Sequence, residues 1–444
     1  MRDPPPLPNL PAQPASFDGA LGRRIISLHI WAVRQGLRGV PADRLFDGFC
    51  RKLIETGMPL WRGFAALRTL HPQWGGYGYV WQRDTRAVRY EYYKRRSYEA
   101  GDEADREWLD SPFVDLIARA AAGRRDGDPW PWLRRRLSGP AAQLDFPVLG
   151  ELAGAGGTDY FAQVLSFGGP DDPSHGTGVG CSFTTDRPEG FAEDDILLLR
   201  AALPAVSLAM MTDACHRIAS GLLAAYLGGD AGHRVHKGAV ARGSVETIRA
   251  VIWYADIRGF TALADNSPGL VVIDLLDEVF EAVTAALRPR GGQVLKFLGD
   301  GVLAIFPVAD ADHDRVCRAA LDAAAEAMAG VDRLNAARDA AGKPSAAVDL
   351  ALHLGEVLYG NVGAVDRLDF TVIGPAVNEA ARIEALCEPL GARVLVSAEL
   401  AAAADRRRLR PLGRHPLRGL REPREIYALD LPPRDETAHP ASGK

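Results

Sequence analysis

The sequence predicts an α+β protein in two domains, and three observations carry that prediction. The chain has 444 residues, more than one ordinary core accommodates. Its first half reads helix, hairpin, long insertion, hairpin, helix. An apolar, helix-permissive connector over 205–245 then separates this half from a block of short apolar strands interrupted by glycines and helices.

Bulk composition narrows the class. Apolar content of 47% and charged content of 25% are those of a globular protein. Net charge is −5 and mixed along the chain, so the basic footprint of a nucleic-acid partner is missing. Cys50, Cys181, Cys215, Cys317 and Cys387 are scattered without a Cys-x-x-Cys pair, which fits a reducing cytoplasm and not a zinc or disulfide framework. The start, "MRDPPPLPNLPAQPASF", lacks the apolar core of a signal peptide and reads as a disordered Pro-rich arm over 1–17. The most apolar stretch, 196–211, contains Arg200 and is too short to span a bilayer. The expectation is a cytoplasmic protein with no membrane partner.

In the first half, 18–70 is expected to be helical, from apolar residues at three- and four-residue steps in "DRLFDGFCRKLIETGM". "GGYGYVWQRDTRAVRYEYYKR" reads as a hairpin turning at Arg83-Asp84-Thr85-Arg86. "TDYFAQVLSFGG" and "GTGVGCSFTTDRP" read as a second strand pair around a polar loop near 168–178. A helix follows at "AEDDILLLRAAL", with acids in its first turn where the helix dipole favours them. The connector that comes next, with "VSLAMMTDACHRIASGLLAAYLG", is apolar and helix-permissive and ends at Gly228-Gly229, before a polar stretch over 233–242. The region 216–245 reads equally as a plain linker helix or as a signalling helix that pairs between protomers. A flexible tail is expected over 431–444.

Chemistry concentrates after 246. "ETIRAVIWYADIRGFTALAD" runs from a buried strand over 248–255 into Asp256. An acid there either caps the next helix or holds a cation. "GGQVLKFLGDGVLAIFP" places Asp300 between two glycines at a hairpin tip, as a good turn or as a second ligand. Two acids at neighbouring strand ends, with the Ile257 carbonyl, are a donor set for Mg²⁺ or Mn²⁺ in phosphoryl transfer. Lys296 in the same hairpin either snorkels to the surface or donates to a base or phosphate. "LALHLGEVLYGNVG" reads as a strand over 348–354, a glycine turn and a short second strand, with His353 a packed core residue. In "FTVIGPAVNEAARIE", Gly374-Pro375 ends a strand and starts a helix. Asn378 and Arg382 share one helix face, either exposed or as a sugar and phosphate clamp.

Taken together, "ADIRGFTALAD", "KFLGDGVLAIFP", "HLGEVLYGNVG", "FTVIGPAVNEAARIE" and "PLRGLREPREIYAL" resemble the catalytic domain of the class III adenylate and guanylate cyclases, over 246–430. The resemblance implies a ferredoxin-like βαββαβ core acting as a head-to-tail homodimer, with sites at the dimer interface. It implies that Asp256, Ile257 and Asp300 of one protomer hold two Mg²⁺ or Mn²⁺ ions. Lys296 and Thr371 of the other would recognise adenine, and Asn378 and Arg382 would orient ribose and stabilise the pentavalent phosphorus. Arg418 and Arg421 are further candidates for the β- and γ-phosphates. Thr371 stands where many adenylate cyclases have Asp, and the Thr-bearing subset tends to respond to bicarbonate. Pro375, where Asp is commoner, is a helix-start variation. More loosely, "SFTTDRPEGFAEDDILLLRAALPAVSLAM" resembles the closing strand and helix of a GAF-type sensory domain, which makes 18–215 a GAF-like regulatory domain with an unknown effector.

The expected activity is conversion of ATP to cyclic AMP and pyrophosphate. Guanylate cyclase, for which Glu would replace Lys296, and a non-catalytic nucleotide-binding module are the alternatives. A P-loop NTPase is excluded by the absence of its Gly-rich Lys motif, and a diguanylate cyclase by the absence of its Gly-Gly-Asp/Glu-Glu-Phe signature.

Overall fold

The computed structural model describes residues 19–72, 74–85, 87–94, 109–126, 130–167, 178–404 and 406–431. The expected Pro-rich arm, the 168–177 loop, Arg86 and all but the first residue of the expected tail lie outside the described residues. The chain divides into two units, 1–222 and 223–444.

Unit 1 begins with α1 (Ala20–Leu37) and α2 (Ala42–Glu55). α2 is amphipathic and buries Leu45, Phe46, Phe49, Cys50 and Leu53. A six-stranded antiparallel sheet follows: β1 (Arg62–Arg68), β2 (Trp74–Gln82), β3 (Val88–Lys94), β4 (Trp132–Arg136), β5 (Asp159–Ser166) and β6 (Gly178–Thr185), in the spatial order β3-β2-β1-β6-β5-β4. α3 (Pro112–Asp126) and α4 (Pro147–Gly154) lie between strands in sequence, and α5 (Glu193–Leu227) closes the unit. Both expected strand pairs form, β2 with β3 and β5 with β6.

Three expectations need correction here. The helical reading of 18–70 fails over β1, where burial alternates with period two through Gly63, Ala65 and Leu67. Small residues and a lack of β-branching concealed that strand. The 35-residue α5 is, by length and composition, long enough to cross a membrane, so the short apolar run at 196–211 understated it. Half of its most apolar window is buried, with Ile196, Leu199, Leu203, Val206 and Met210 in the core of unit 1. The polar stretch after Gly228 is itself partly helical, as α6 (Gly229–His236).

Unit 2 contains β7 (Val245–Ile257), α7 (Phe260–Asp265), α8 (Gly269–Thr284), β8 (Gln293–Leu298), β9 (Gly301–Pro307), α9 (His313–Ala340) and β10 (Val348–Gly363). Their spatial order β10-β7-β9-β8, with α8 and α9 as the crossovers, is the expected βαββαβ arrangement. β11 (Leu368–Ile373), α10 (Pro375–Glu384), β12 (Val394–Ser397), α11 (Ala398–Ala403), β13 (Leu409–His415) and β14 (Arg424–Leu429) extend it to an eight-stranded sheet.

The central strand β7 is apolar on both faces. Val251, Trp253, Ala255 and Ile257 bury against α8 and α9, while Ala250 and Ile252 join Ala376 and Ala380 of α10 on the other side. By strand alternation Asp256 belongs to the α10 face.

The "LALHLGEVLYGNVG" stretch is one 16-residue strand, not two strands and a turn. Gly355 sits mid-strand because a Cβ there would lie 2.6 Å from the Ala376 Cβ. The glycine admits α10 onto the sheet; it does not bend the chain. His353 is buried, as expected of a packed residue, and burial lowers its pKa.

Candidate active site

Asp256 is the penultimate residue of β7, not a residue beyond its end. Its Oδ1 accepts the N–H of Ile257 at 3.0 Å. The helix-cap reading is excluded, because α7 starts from Gly259, in the left-handed region, with no side-chain cap. Asp300 arrives by a different route. Leu298 pairs with Gly301 across the β8–β9 hairpin, leaving Gly299 and Asp300 as the two-residue turn. Gly299 takes φ +67°, which costs glycine little.

The two carboxylates meet: burial, and then the charge and hydrogen bonding of Asp300, push Asp256 up to about 6. Ionised together, they present like charge in a half-desolvated setting. The donor set therefore fits a hard divalent cation, since Asp256, Asp300 and the neighbouring Ile257 carbonyl are all oxygen ligands. Among the described residues no group of three or more His, Cys, Asp or Glu side chains forms a complete metal site. Such a cation would need oxygens from elsewhere, as substrate phosphates can supply.

Two neighbours extend this acidic pole. Asp349, nearly buried, lies directly across the β7–β10 ladder from Asp256 and is held by Arg258. Glu384, at the end of α10, is pushed up to about 7 by burial and by Asp256, Asp349 and Asp300. Sequence reasoning passed over both, because Asp349 meets Arg258 from 91 residues away and a Glu at a helix end is ordinary.

The second group of residues lies on α10, β8 and β11. Asn378 is exposed on α10. Arg382, one turn on, lies beside the turn at Gly419, where a Cβ would be 3.7 Å from Nη2. Arg418 and Arg421 flank that glycine and are exposed. Among the described residues none of these three arginines has a carboxylate partner. No hydrogen bond or ion pair joins Asn378 or Arg382 to Asp256 or Asp300 among them either.

Lys296 does not simply snorkel. It forms an ion pair with Asp369 of β11, a residue that sequence reasoning missed. The available signal was period two: Asp369 and Thr371 fall on the same side of β11. Thr371 is buried, and its Oγ1 has no hydrogen-bond partner.

The sequence profile described as "Adenylate and Guanylate cyclase catalytic domain" matches residues 244–430. Adenylate cyclase 1 of Rhizobium meliloti (strain 1021) is 33% identical over 180 residues, 40% of this chain and 26% of that protein. The adenylate cyclase of Anabaena cylindrica is 32% identical over 159 residues, 35% of this chain and 30% of that protein. The chain thus spans under a third of the length of these relatives. A solved bacterial light-regulated adenylyl cyclase is 26% identical, with a TM-score of 0.37 over 42% of this chain and 91% of that one. On the profile match, residues 244–430 belong to the adenylate and guanylate cyclase catalytic domain family.

Proposed function

We propose that the chain is an adenylate cyclase, converting ATP to 3′,5′-cyclic AMP and pyrophosphate. The observation that carries this reading is the Asp256–Asp300 pair, two crowded carboxylates whose charge calls for a divalent cation and phosphate oxygens. A Mg²⁺ or Mn²⁺ pair bound there would lower the pKa of the ribose 3′-OH and neutralise the triphosphate. Everything else falls to the chain's own groups. Arg382, with no carboxylate partner among the described residues, is available to receive charge building on the α-phosphoryl oxygens. Asn378 on the same helix face orients the ribose. Arg418 and Arg421, around the turn that abuts Arg382, bind the β- and γ-phosphates. The 3′-OH gives its proton to water, its oxygen attacks the α-phosphorus in line, the bond from that phosphorus to the α,β-bridging oxygen breaks, and pyrophosphate leaves.

Base choice falls to Lys296 and Thr371. An ammonium donates to a ring nitrogen, and the unpartnered Thr371 hydroxyl can accept from a 6-amino group. This favours ATP over GTP. The working unit is a homodimer, a reading supported by the absence of any bond between the Asn378–Arg382 pair and the acid pair within one chain. Unit 1, a six-stranded antiparallel sheet with flanking helices, acts as the GAF-like regulator.

The test is pyrophosphate and cyclic nucleotide release from full-length protein with Mn-ATP and Mn-GTP, with and without bicarbonate. Cyclic AMP as the main product supports the reading. A preference for GTP makes the chain a guanylate cyclase, and no product above background makes it a nucleotide-binding module.

A further inference from the structure

α1 has two apolar faces, and the core of unit 1 covers only one. Ile25, Leu28 and Ala32 are buried in that core. Ile26, Ile30, Val33 and Leu37 are exposed, Leu37 by 85%. Advancing about 100° per residue, these four fall in a sector about 60° wide. They make one continuous stripe, unlike apolar residues scattered singly over a surface.

The stripe has a cationic border. Arg23 and Arg34 follow it around the helix, then Arg38 at the C-cap, and all three are exposed. α1 carries no Asp or Glu. With Ile26, Ile30 and Trp31 these arginines line a basin of about 580 Å³, to which Lys52 of α2 also contributes. Trp31 sits against α2, where a Cβ on Gly48 would lie 2.8 Å from its Cζ2. Asp47 and Glu55 of α2 are engaged by Arg51 and Lys52.

Charge chooses the occupant. A second copy would bring the same arginines and no α1 acid to receive them, so pairing through this stripe gathers like charge. A free anion would satisfy the arginines and leave four apolar side chains in water. An anionic bilayer surface meets both demands. Its headgroup phosphates accept from guanidinium groups, and its acyl boundary takes the apolar stripe. Trp31 is of the residue type enriched at that depth.

We propose that α1 is an interfacial helix that docks unit 1 on an anionic phospholipid surface. Ile26, Ile30, Val33 and Leu37 seat at the boundary between headgroups and acyl chains, and Arg23, Arg34 and Arg38 bind headgroup phosphates. An interfacial helix spans nothing, so the expectation of no membrane partner, which rests on spanning segments, does not reach it. Docking is independent of the nucleotide used in unit 2, and it stands or falls apart from the function proposed above.

The experiment sediments the full chain with vesicles of phosphatidylcholine alone and of phosphatidylcholine with about a third phosphatidylglycerol. Wild type is expected to bind the anionic vesicles at least tenfold more tightly than the neutral ones, less so as NaCl is raised. Arg34→Glu/Arg38→Glu should cut the anionic partition coefficient at least tenfold, and Val33→Ser/Leu37→Ser about tenfold. Arg333→Glu, at an exposed arginine of α9, controls for net charge and should stay within about twofold. Thermal melts should not change, since every substituted side chain is exposed. Should the serine pair fail to fold, the arginine pair decides alone. No binding, equal binding to both vesicles, or indifference to the arginine pair overturns the inference. So does release by inorganic phosphate beyond that by chloride of equal ionic strength, which makes the occupant a soluble anion. A fall in mass for Val33→Ser/Leu37→Ser without vesicles, read by light scattering, assigns the stripe to a second copy and overturns it too.

Discussion

Arg258 grips Asp349 with two parallel bonds, Nε to Oδ2 at 2.9 Å and Nη2 to Oδ1 at 2.5 Å. Asp349 is 4% exposed and faces Asp256 across the β7–β10 ladder, so the fork cancels one charge of the acidic pole that a cation would otherwise have to meet. Arg258→Leu should strand a buried carboxylate beside Asp256 and Glu384. We expect unit 2 to lose about 3 kcal/mol, measured by urea denaturation, with Arg258→Lys losing less. A loss below about 1 kcal/mol would mean that the fork behaves as a surface pair.

Asp256 and Glu384 make metal-free stability fall as pH rises. Asp256 is held near 6 and Glu384 near 7, both above the ordinary carboxylate values of about 4. The folded state thus binds more protons than the unfolded one in this window. Their contribution is complete below about pH 4 and is lost as pH climbs through 6 and 7. Melting in EDTA should show unit 2 less stable at pH 8 than at pH 5, and Mn²⁺ should restore it at pH 8. Asp300→Asn should flatten that slope and abolish both the Mn²⁺ effect and turnover. A slope unchanged by Asp300→Asn would remove Asp300 from the cause.

The short helix α6 is fastened to the sheet by Tyr359, whose hydroxyl donates to Asp230 Oδ2 at 2.9 Å. Arg234 lies 5.3 Å over the same ring and bonds Asp230 and Glu246, and Phe370 of β11 meets the ring edge-on at 4.9 Å. Tyr359→Phe keeps both ring contacts and removes only the hydroxyl. The expected cost is about 1 kcal/mol by denaturation, with a change in KM if α6 steadies the strand next to Thr371. Hydrogen exchange at 229–236 reads the loosening directly, and unaltered protection there would show that Arg234 alone holds Asp230.

These elements differ in how far the sequence foretold them. The βαββαβ core was expected from the family resemblance, and that resemblance rests on local motifs, among them the apolar runs of β7 and β9 and Asp300 between glycines. Asn378 and Arg382 were legible for the same reason, being four apart on one helix. Lys296–Asp369 and Arg258–Asp349 were not, since their partners are 73 and 91 residues away and only the folded sheet brings them together. β4 was missed because "WLRRR" looks like a solvated charge run, yet Arg134 and Arg135 each meet a carboxylate in the fold. β10 was cut in two because Gly355 was taken for a bend, when it answers to a helix packed on it from elsewhere. Contacts distant in sequence leave no period to read.

Unit 1 has its own buried charge, and it offers a way to ask whether that unit regulates the other. Asp159 is 0% exposed and accepts from Arg134 Nη2 at 2.8 Å and from the Phe191 N–H at 3.0 Å. Arg134 also bonds the Phe191 carbonyl and Glu193 at the start of α5. Arg136 completes the ring through the Glu189 carbonyl, so close that a Cβ on Gly190 would lie 1.9 Å from its Nη1. Arg134→Gln leaves Asp159 buried with the Phe191 N–H and a 3.5 Å contact to Arg136 as its remaining partners. We expect unit 1 to lose about 3–5 kcal/mol, seen in calorimetry as an early transition separating from that of unit 2. If unit 1 governs the cyclase domain, turnover should shift between the two transitions, where unit 1 is open and unit 2 intact. Equal turnover in wild type and Arg134→Gln across that window would reduce unit 1 to a passenger.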